Sequence, residues 1–270
     1  PQRARIGEID PERAAEAVFV HRGEIWTRAT VAAVLVSHDG ARWLPEVLVA
    51  LSRQTTRPSS LVAVDTGSAD QSPALLRAAY GSVLDLPRGT GFAEAVAAGL
   101  DAAPRSTWIW LLHDDCAPEP DALERLLAGP PEAVLRGPLQ LDWDDPSRLV
   151  EVGLSTDRAG RRLTGVERGE LDQGQHAGRR DVLAVGTAGA LVRRDVYDSL
   201  GGLDPALPLR EDLDLGRRTW AAGHRVAIVP EARLRHARAT ATGQRRTGHA
   251  GRMFATRPFT LTLALLLPTA

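Results

Sequence analysis

The chain contains no lysine, and all 33 of its basic residues are arginine. Together with abundant Ala, Gly and Pro this points to GC-rich coding and says little about chemistry. The single cysteine, Cys116, excludes an internal disulfide and a multi-cysteine zinc site. It adjoins two carboxylates but reads as a small filler residue rather than a nucleophile. Charge of one sign is also lacking, since the formal net charge is -1. No global field draws the chain to nucleic acid, and none is expected as a partner. A glycine-rich phosphate loop is missing as well. "GTGFAEAVAAG" lacks the Lys-Ser/Thr of a P-loop and the spacing of GxGxxG. The first thirty residues are charged and broken by Pro11 and Gly23, unlike a signal peptide. The longest apolar run, "RPFTLTLALLLPTA" at 257–270, falls short of the roughly 20 residues that span a bilayer. It reads either as an amphipathic or buried terminal segment or, with Arg257 as a cytoplasmic flank, as the first half of a transmembrane helix.

What is present is a chain of 270 residues, 43% hydrophobic, enough for one large core. Apolar β-rich runs alternate with helical spacing. "TVAAVLVS" (30–37) is a continuous apolar run, as in a strand buried on both faces. "WLPEVLVALSRQ" (43–54) places Leu44, Val47, Leu48 and Leu51 on one helical face. "SLVAVDTGS" (60–68) is a second strand, and "SPALLRAAY" (72–80) a helix with Ser72 as N-cap and Pro73 behind it. A short strand in "GSVLDLP", a helix over 91–103, a strand over 107–115 and a helix over 120–129 follow. This βαβαβαβ order predicts an α/β fold with a doubly wound, mostly parallel sheet flanked by helices. Beyond residue 130 the pattern loosens. Strands are expected in "VLRGPLQLDW", "RLVEVGLST" and "HRVAIVP", a strand and helix over 181–202, and a helix over 211–223. Residues 158–181 and 237–252 read as exposed or mobile loops. The expected organisation is an extension over 1–29, one domain over 30–256 with halves 30–130 and 131–256, and the apolar segment 257–270.

Polar residues gather where the strands end. Ser37, His38 and Asp39 follow the first strand, Asp65 to Ser68 the second, and His113, Asp114 and Asp115 the fourth. In open parallel sheets ligands bind at these carboxyl ends, near the point where strand order reverses. Asp and Ser also form ordinary turns, but three carboxylate-ended strands exceed what turns need. Carboxylates alone repel a diphosphate; a hard divalent cation reverses that by bridging Asp oxygens to phosphate oxygens. The doublets His38–Asp39 and His113–Asp114 also suggest a metal phosphohydrolase, although helix-borne versions of such pairs do not match these strand ends.

The stretches "VLVSHDGARWLPEVLVALSRQT", "VAVDTGSADQS", "GTGFAEAVAAGL", "WIWLLHDDCAPEPDAL", "GTAGALVRRDVYDSLGGLDPALPLREDLDLGRRTWAAGHRV" and "LRHARA" occur in this order over roughly residues 30–240. The chain thereby resembles family 2 glycosyltransferases, in particular their rhamnosyl- and galactofuranosyltransferase-like branch. The resemblance implies the GT-A fold with a less regular acceptor-side second half, a nucleotide-diphosphate sugar donor, a divalent cation (Mg²⁺ or Mn²⁺) and inversion at the anomeric carbon. It implies that Ser37, His38 and Asp65 line the nucleoside pocket, and that Gly91, Phe92 and Ala93 let the backbone pass close to the nucleotide. The family's Asp-x-Asp motif falls on His113, Asp114 and Asp115. His113 stands where an acid is usual, as a donor to the diphosphate or a poorer ligand. Asp115 would carry the metal, with Asp114 supporting it or the ribose. "REDLDLGRR" places the catalytic base at Asp212, with Glu211 against the acceptor, and His236 would reach the metal or diphosphate. The acceptor implied is a glycan or lipid-linked glycan at the cytoplasmic face of the cell membrane. Trp43, Trp108, Trp110 and Trp220 read as packing anchors, and Trp26 or Trp143 as a residue that stacks on sugar. The other readings are a nucleotidyltransferase, which usually carries a Gly-rich basic loop missing here, and a non-catalytic nucleotide-sugar-binding domain.

Overall fold

The computed structural model describes residues 18–21, 24–27, 29–178 and 180–245. The apolar segment 257–270, most of the 1–29 extension and the side chain of Trp26 lie outside the described residues.

In chain order the elements are β1 (Val18–His21), β2 (Glu24–Thr27), β3 (Val31–Ser37), α1 (Leu44–Ser52), β4 (Ser60–Asp65), α2 (Ser72–Tyr80), β5 (Leu84–Asp85) and α3 (Phe92–Ala102). Then come β6 (Trp108–His113), β7 (Cys116–Pro118), α4 (Ala122–Leu127), β8 (Ala133–Asp142), β9 (Leu149–Glu151), β10 (Ser155–Thr156) and β11 (Arg162–Leu163). The last are β12 (Leu191–Arg193), α5 (Arg194–Ser199), α6 (Glu211–Ala221) and β13 (Arg225–His236). One sheet runs β5-β4-β3-β6-β12-β8-β13-β7, with β9 beside β8; β1–β2 and β10–β11 form separate ribbons. The long pairings, β3–β4, β3–β6 and β8–β13, are parallel, whereas the short strands β7, β9 and β12 pair antiparallel.

Every residue of β3 is buried, as its unbroken apolar run predicts. Alternation divides the strand between two cores. Val34 and Val36 pack with Ala95, Val96 and Leu100 of α3 and Leu215 of α6. Val31, Ala33 and Leu35 pack with Leu44 and Val47 of α1, Leu76 of α2 and Leu123 of α4. Helices on both faces make the sheet doubly wound. The chain passes from β5 and β4 on one side of β3 to β6 on the other, so the sheet reverses between β3 and β6.

Several local expectations are corrected. Residues 116–118 do not simply turn away into a helix; they form an edge strand against β13. Residues 158–181 are not all exposed loop, because Arg162 pairs inward from β11. Arg245 anchors the 237–245 segment on Asp114. Ser72 is fully buried and does not cap α2; its hydroxyl accepts the Gly40 N–H at 2.9 Å. Trp220 is exposed, held by its indole N–H on the Val182 carbonyl, and so is no core anchor. Trp43 and Trp110 are buried as expected.

Candidate active site

The ends of β3 and β6 meet around Asp114. Its Oδ2 accepts from the Ser37 hydroxyl at 2.9 Å and the His38 N–H at 2.8 Å. Its Oδ1 accepts from Arg245, whose guanidinium also lies 5.5 Å from the centre of the Trp43 ring. A Cβ at residue 40 would sit 2.0 Å from Asp114 Oδ2, so only glycine lets the chain pass. Asp114 is fully buried. Burial raises its pKa to about 6, against the pull of Arg245. This carboxylate stitches two strand ends and a distant loop together.

Beside it, Asp65 is buried and takes the Ser68 hydroxyl at 2.6 Å and the Ser68 N–H at 2.9 Å, which closes the turn after β4. Gly67 holds φ +73 there, and a Cβ would strike the Arg88 backbone at 2.5 Å. Arg88 reaches across to Asp39 at 2.6 Å and holds that carboxyl down at about 2. His38 Nδ1 meets the Thr66 hydroxyl at 2.9 Å. On the other flank, Gly91 caps α3, and its N–H donates to Glu94 at 2.8 Å. Phe92 turns its ring to His113, 4.5 Å between centroids, while Ala93 packs in the core.

His113, Asp115 and His236 converge at the same edge, with one ligand atom of each within 4.8 Å of the others. β6 ends at His113, a tight turn delivers Asp115, and β13 ends at His236. Asp115 Oδ2 is taken by the Ala239 N–H at 2.8 Å. Its Oδ1 faces His236 Nε2 at 3.5 Å and His113 Nδ1 at 4.0 Å. The remaining ring nitrogens are tied down. His113 Nε2 meets the Thr187 hydroxyl at 3.0 Å, and His236 Nδ1 meets Gln140 Oε1 at 2.7 Å. Burial would raise Asp115, but His236 and Arg245 outweigh it and hold the carboxyl well below its ordinary range. Burial drives His113 down to about 3, so its imidazole is neutral. An ionised carboxylate and a neutral imidazole are the forms that bind metal.

Asp212 and Glu211 open α6, where the helix dipole favours acids. Asp212 is nearly buried, and its Oδ2 accepts from Arg162 Nη2 at 2.9 Å. The same nitrogen reaches Glu151 Oε2 at 2.9 Å. Burial raises Glu211 to about 7, with backbone N–H groups at its own helix end opposing the shift. Leu209, two residues before Glu211, has φ +65, a strained value for a leucine.

Gln140, Glu151, Arg162, Thr187 and Arg245 were not anticipated. Two of them carried a signal. "PLQLD" and "LVEVG" each set a polar residue inside an apolar strand, and such a residue needs a buried partner. Arg162 and Arg245 sit in polar, aperiodic stretches where nothing local separates them from solvated arginines.

Residues 29–254 match the family described as Glycosyltransferase like family 2. An N-acetylglucosaminyl-diphospho-decaprenol L-rhamnosyltransferase of Mycobacterium tuberculosis is 28% identical over 254 residues, covering 80% of this chain and 78% of that protein. The galactofuranosyltransferase GlfT1 of Mycolicibacterium smegmatis is 32% identical over 211 residues, covering 72% of this chain and 66% of that protein. Among solved structures, GalNAc-T7 with UDP, GalNAc and Mn²⁺ shares the fold at TM-score 0.60 and 18% identity, over 77% of this chain and 44% of that one. S. aureus TarS 1–349 with UDP-GlcNAc shares it at TM-score 0.55 and 13% identity, over 83% of this chain and 60% of that one. The fold is therefore GT-A, and the chain belongs to the family 2 glycosyltransferases.

Proposed function

We propose that the chain is an inverting glycosyltransferase that moves a sugar from a nucleotide-diphosphate donor to a hydroxyl of a cell-envelope or surface glycan, free or lipid-linked. One observation carries the reading: His113, Asp115 and His236 meet at the sheet edge and connect through buried polar groups to Asp212. The relatives support it, since the Mycobacterium tuberculosis protein transfers L-rhamnose to a lipid-linked sugar, as its name states. The nucleoside lies against Ser37, His38 and Asp65, with Gly91–Ala93 at its other side and Asp114 bracing the pocket from behind. The two imidazoles and one carboxylate oxygen of the cluster would hold a divalent cation, Mg²⁺ or Mn²⁺; the solved GalNAc-T7, which shares the fold, carries Mn²⁺. His113, Asp115 and His236 would hold such a cation, which would supply charge neutralisation for the leaving diphosphate.

Asp212 takes the proton of the attacking acceptor hydroxyl in a single displacement. Arg162 orients that carboxylate through its 2.9 Å hydrogen bond. Glu211, held near neutrality, offers the acceptor a hydrogen bond. Attachment at the cytoplasmic membrane face through residues 257–270 completes the proposal. Among the described residues no helix is long and apolar enough to cross a membrane.

The test is Asp212→Asn assayed for transfer with a panel of nucleotide sugars and Mn²⁺. Turnover is expected to fall by about 10²–10⁴, with nucleoside diphosphate affinity within a few fold of wild type. Retained turnover assigns the base elsewhere.

A further inference from the structure

The Gln140 amide has one satisfactory orientation. Its NH₂ faces two acceptors, Glu151 Oε1 at 3.3 Å and the Ala188 carbonyl at 3.4 Å. Its oxygen therefore faces His236 and accepts the Nδ1–H at 2.7 Å. When the ring is neutral, that fixes the tautomer and makes the Nε2 lone pair, 3.5 Å from Asp115, available to a metal. Glu151 is buried in β9, and its Oε1 also accepts the Gly186 N–H at 2.8 Å. A Cβ at residue 186 would lie 2.6 Å from that oxygen, so a glycine is needed for the bond. Oε2 accepts from Arg162 Nη2, the nitrogen that also holds Asp212. Burial pushes the Glu151 carboxyl up and Arg162 opposes it; donors on both oxygens fit the ionised form.

We propose that Glu151 is a positioning residue shared by the two halves of the site, setting the His236 tautomer through Gln140 and orienting Asp212 through Arg162. This goes beyond the roles of His236 as metal ligand and Asp212 as base, and it rests on them. The charged groups around Asp212 are Arg162 from β11, Glu151 from β9, and Glu211 and Arg210 at the start of α6. Losing Arg162 removes the cation 2.9 Å from the proposed base. Losing the Glu151 charge leaves that cation undivided.

Two readouts separate the arms on the full chain: the Mn²⁺ dissociation constant by electron paramagnetic resonance, and the acidic limb of the kcat/KM pH profile. Gln140→Leu is expected to weaken Mn²⁺ by about 10-fold and to leave the limb in place. Arg162→Gln is expected to leave Mn²⁺ binding unchanged and move the limb up by about one pH unit. Glu151→Gln is expected to weaken Mn²⁺ binding and move the limb down. Wild-type values for Glu151→Gln, or a change in only one readout, overturn the shared role. Gln140→Leu and Arg162→Gln test each arm with Glu151 intact, so a folding defect in Glu151→Gln does not shelter the proposal. His236→Ala and Asp212→Asn run alongside. Unchanged Mn²⁺ binding in the first, or retained turnover in the second, overturns the metal or base assignment instead.

Discussion

Glu211 and Asp212 are adjacent yet differently placed. Asp212 has an arginine partner, whereas burial dominates at Glu211 and raises it from 4.5 to about 7. The folded state therefore binds the extra proton between those values, and stability falls as pH rises across that window. The loss is on the order of 3 kcal/mol by pH 8. Glu211→Gln removes it. The melting temperature of the variant relative to wild type is expected to be higher at pH 8 than at pH 5. An equal difference at both pH values would show that burial does not govern this carboxyl. Cys116 offers a second residue-scale test. It is fully buried, and burial pushes its thiol well above the ordinary range. Iodoacetamide at pH 8 is expected to label it only after unfolding; fast labelling of the native protein would contradict its role as filler.

Among the elements, the strands that carry chemistry were the most legible. β3, β4 and β6 announce themselves as apolar runs ending in Ser, Asp and His, and their parallel order follows from the intervening helices. Helical spacing in 43–54 and 211–223 likewise matches α1 and α6. Short antiparallel pieces were not legible. β7 has three residues and β11 two, too few for a period; β7 exists because the distant β13 accepts it, and β11 because it folds back on the neighbouring β10. The Asp115–His236 meeting follows from β7 lying against β13, so the turn "DDCAP" carries Asp115 to His236. Close packing of α6 has its own test. A Cβ at Gly216 would lie 2.4 Å from Ala184 Cβ and 2.6 Å from the Leu183 carbonyl. Helix propensity favours Gly216→Ala by about 1 kcal/mol. Backbone displacement costs more at such a distance, on the order of 1–3 kcal/mol. Net destabilisation is therefore expected in urea denaturation; a stabilised variant would mean that α6 shifts freely.

For the whole molecule, the sheet reversal between β3 and β6 decides where everything else goes. It brings Ser37 and His38 at the end of β3 onto Asp114, beside Asp115, and β13 returns His236 from the far end of the chain to the same edge. A family resemblance pointed to Asp115, His236 and Asp212 separately. The polar chain that joins them runs through Gln140, Glu151 and Arg162, residues separated by 11 positions or more from their next partner, and only tertiary structure puts them in contact. The most direct test of the account is the binding of a nucleoside diphosphate series by calorimetry, with Mn²⁺ and with EDTA, to wild type and Asp115→Asn. The account predicts tight binding of at least one diphosphate to wild type with Mn²⁺, weakened about 10-fold or more by EDTA or by the substitution. Equal affinity with EDTA, and in Asp115→Asn, would contradict it.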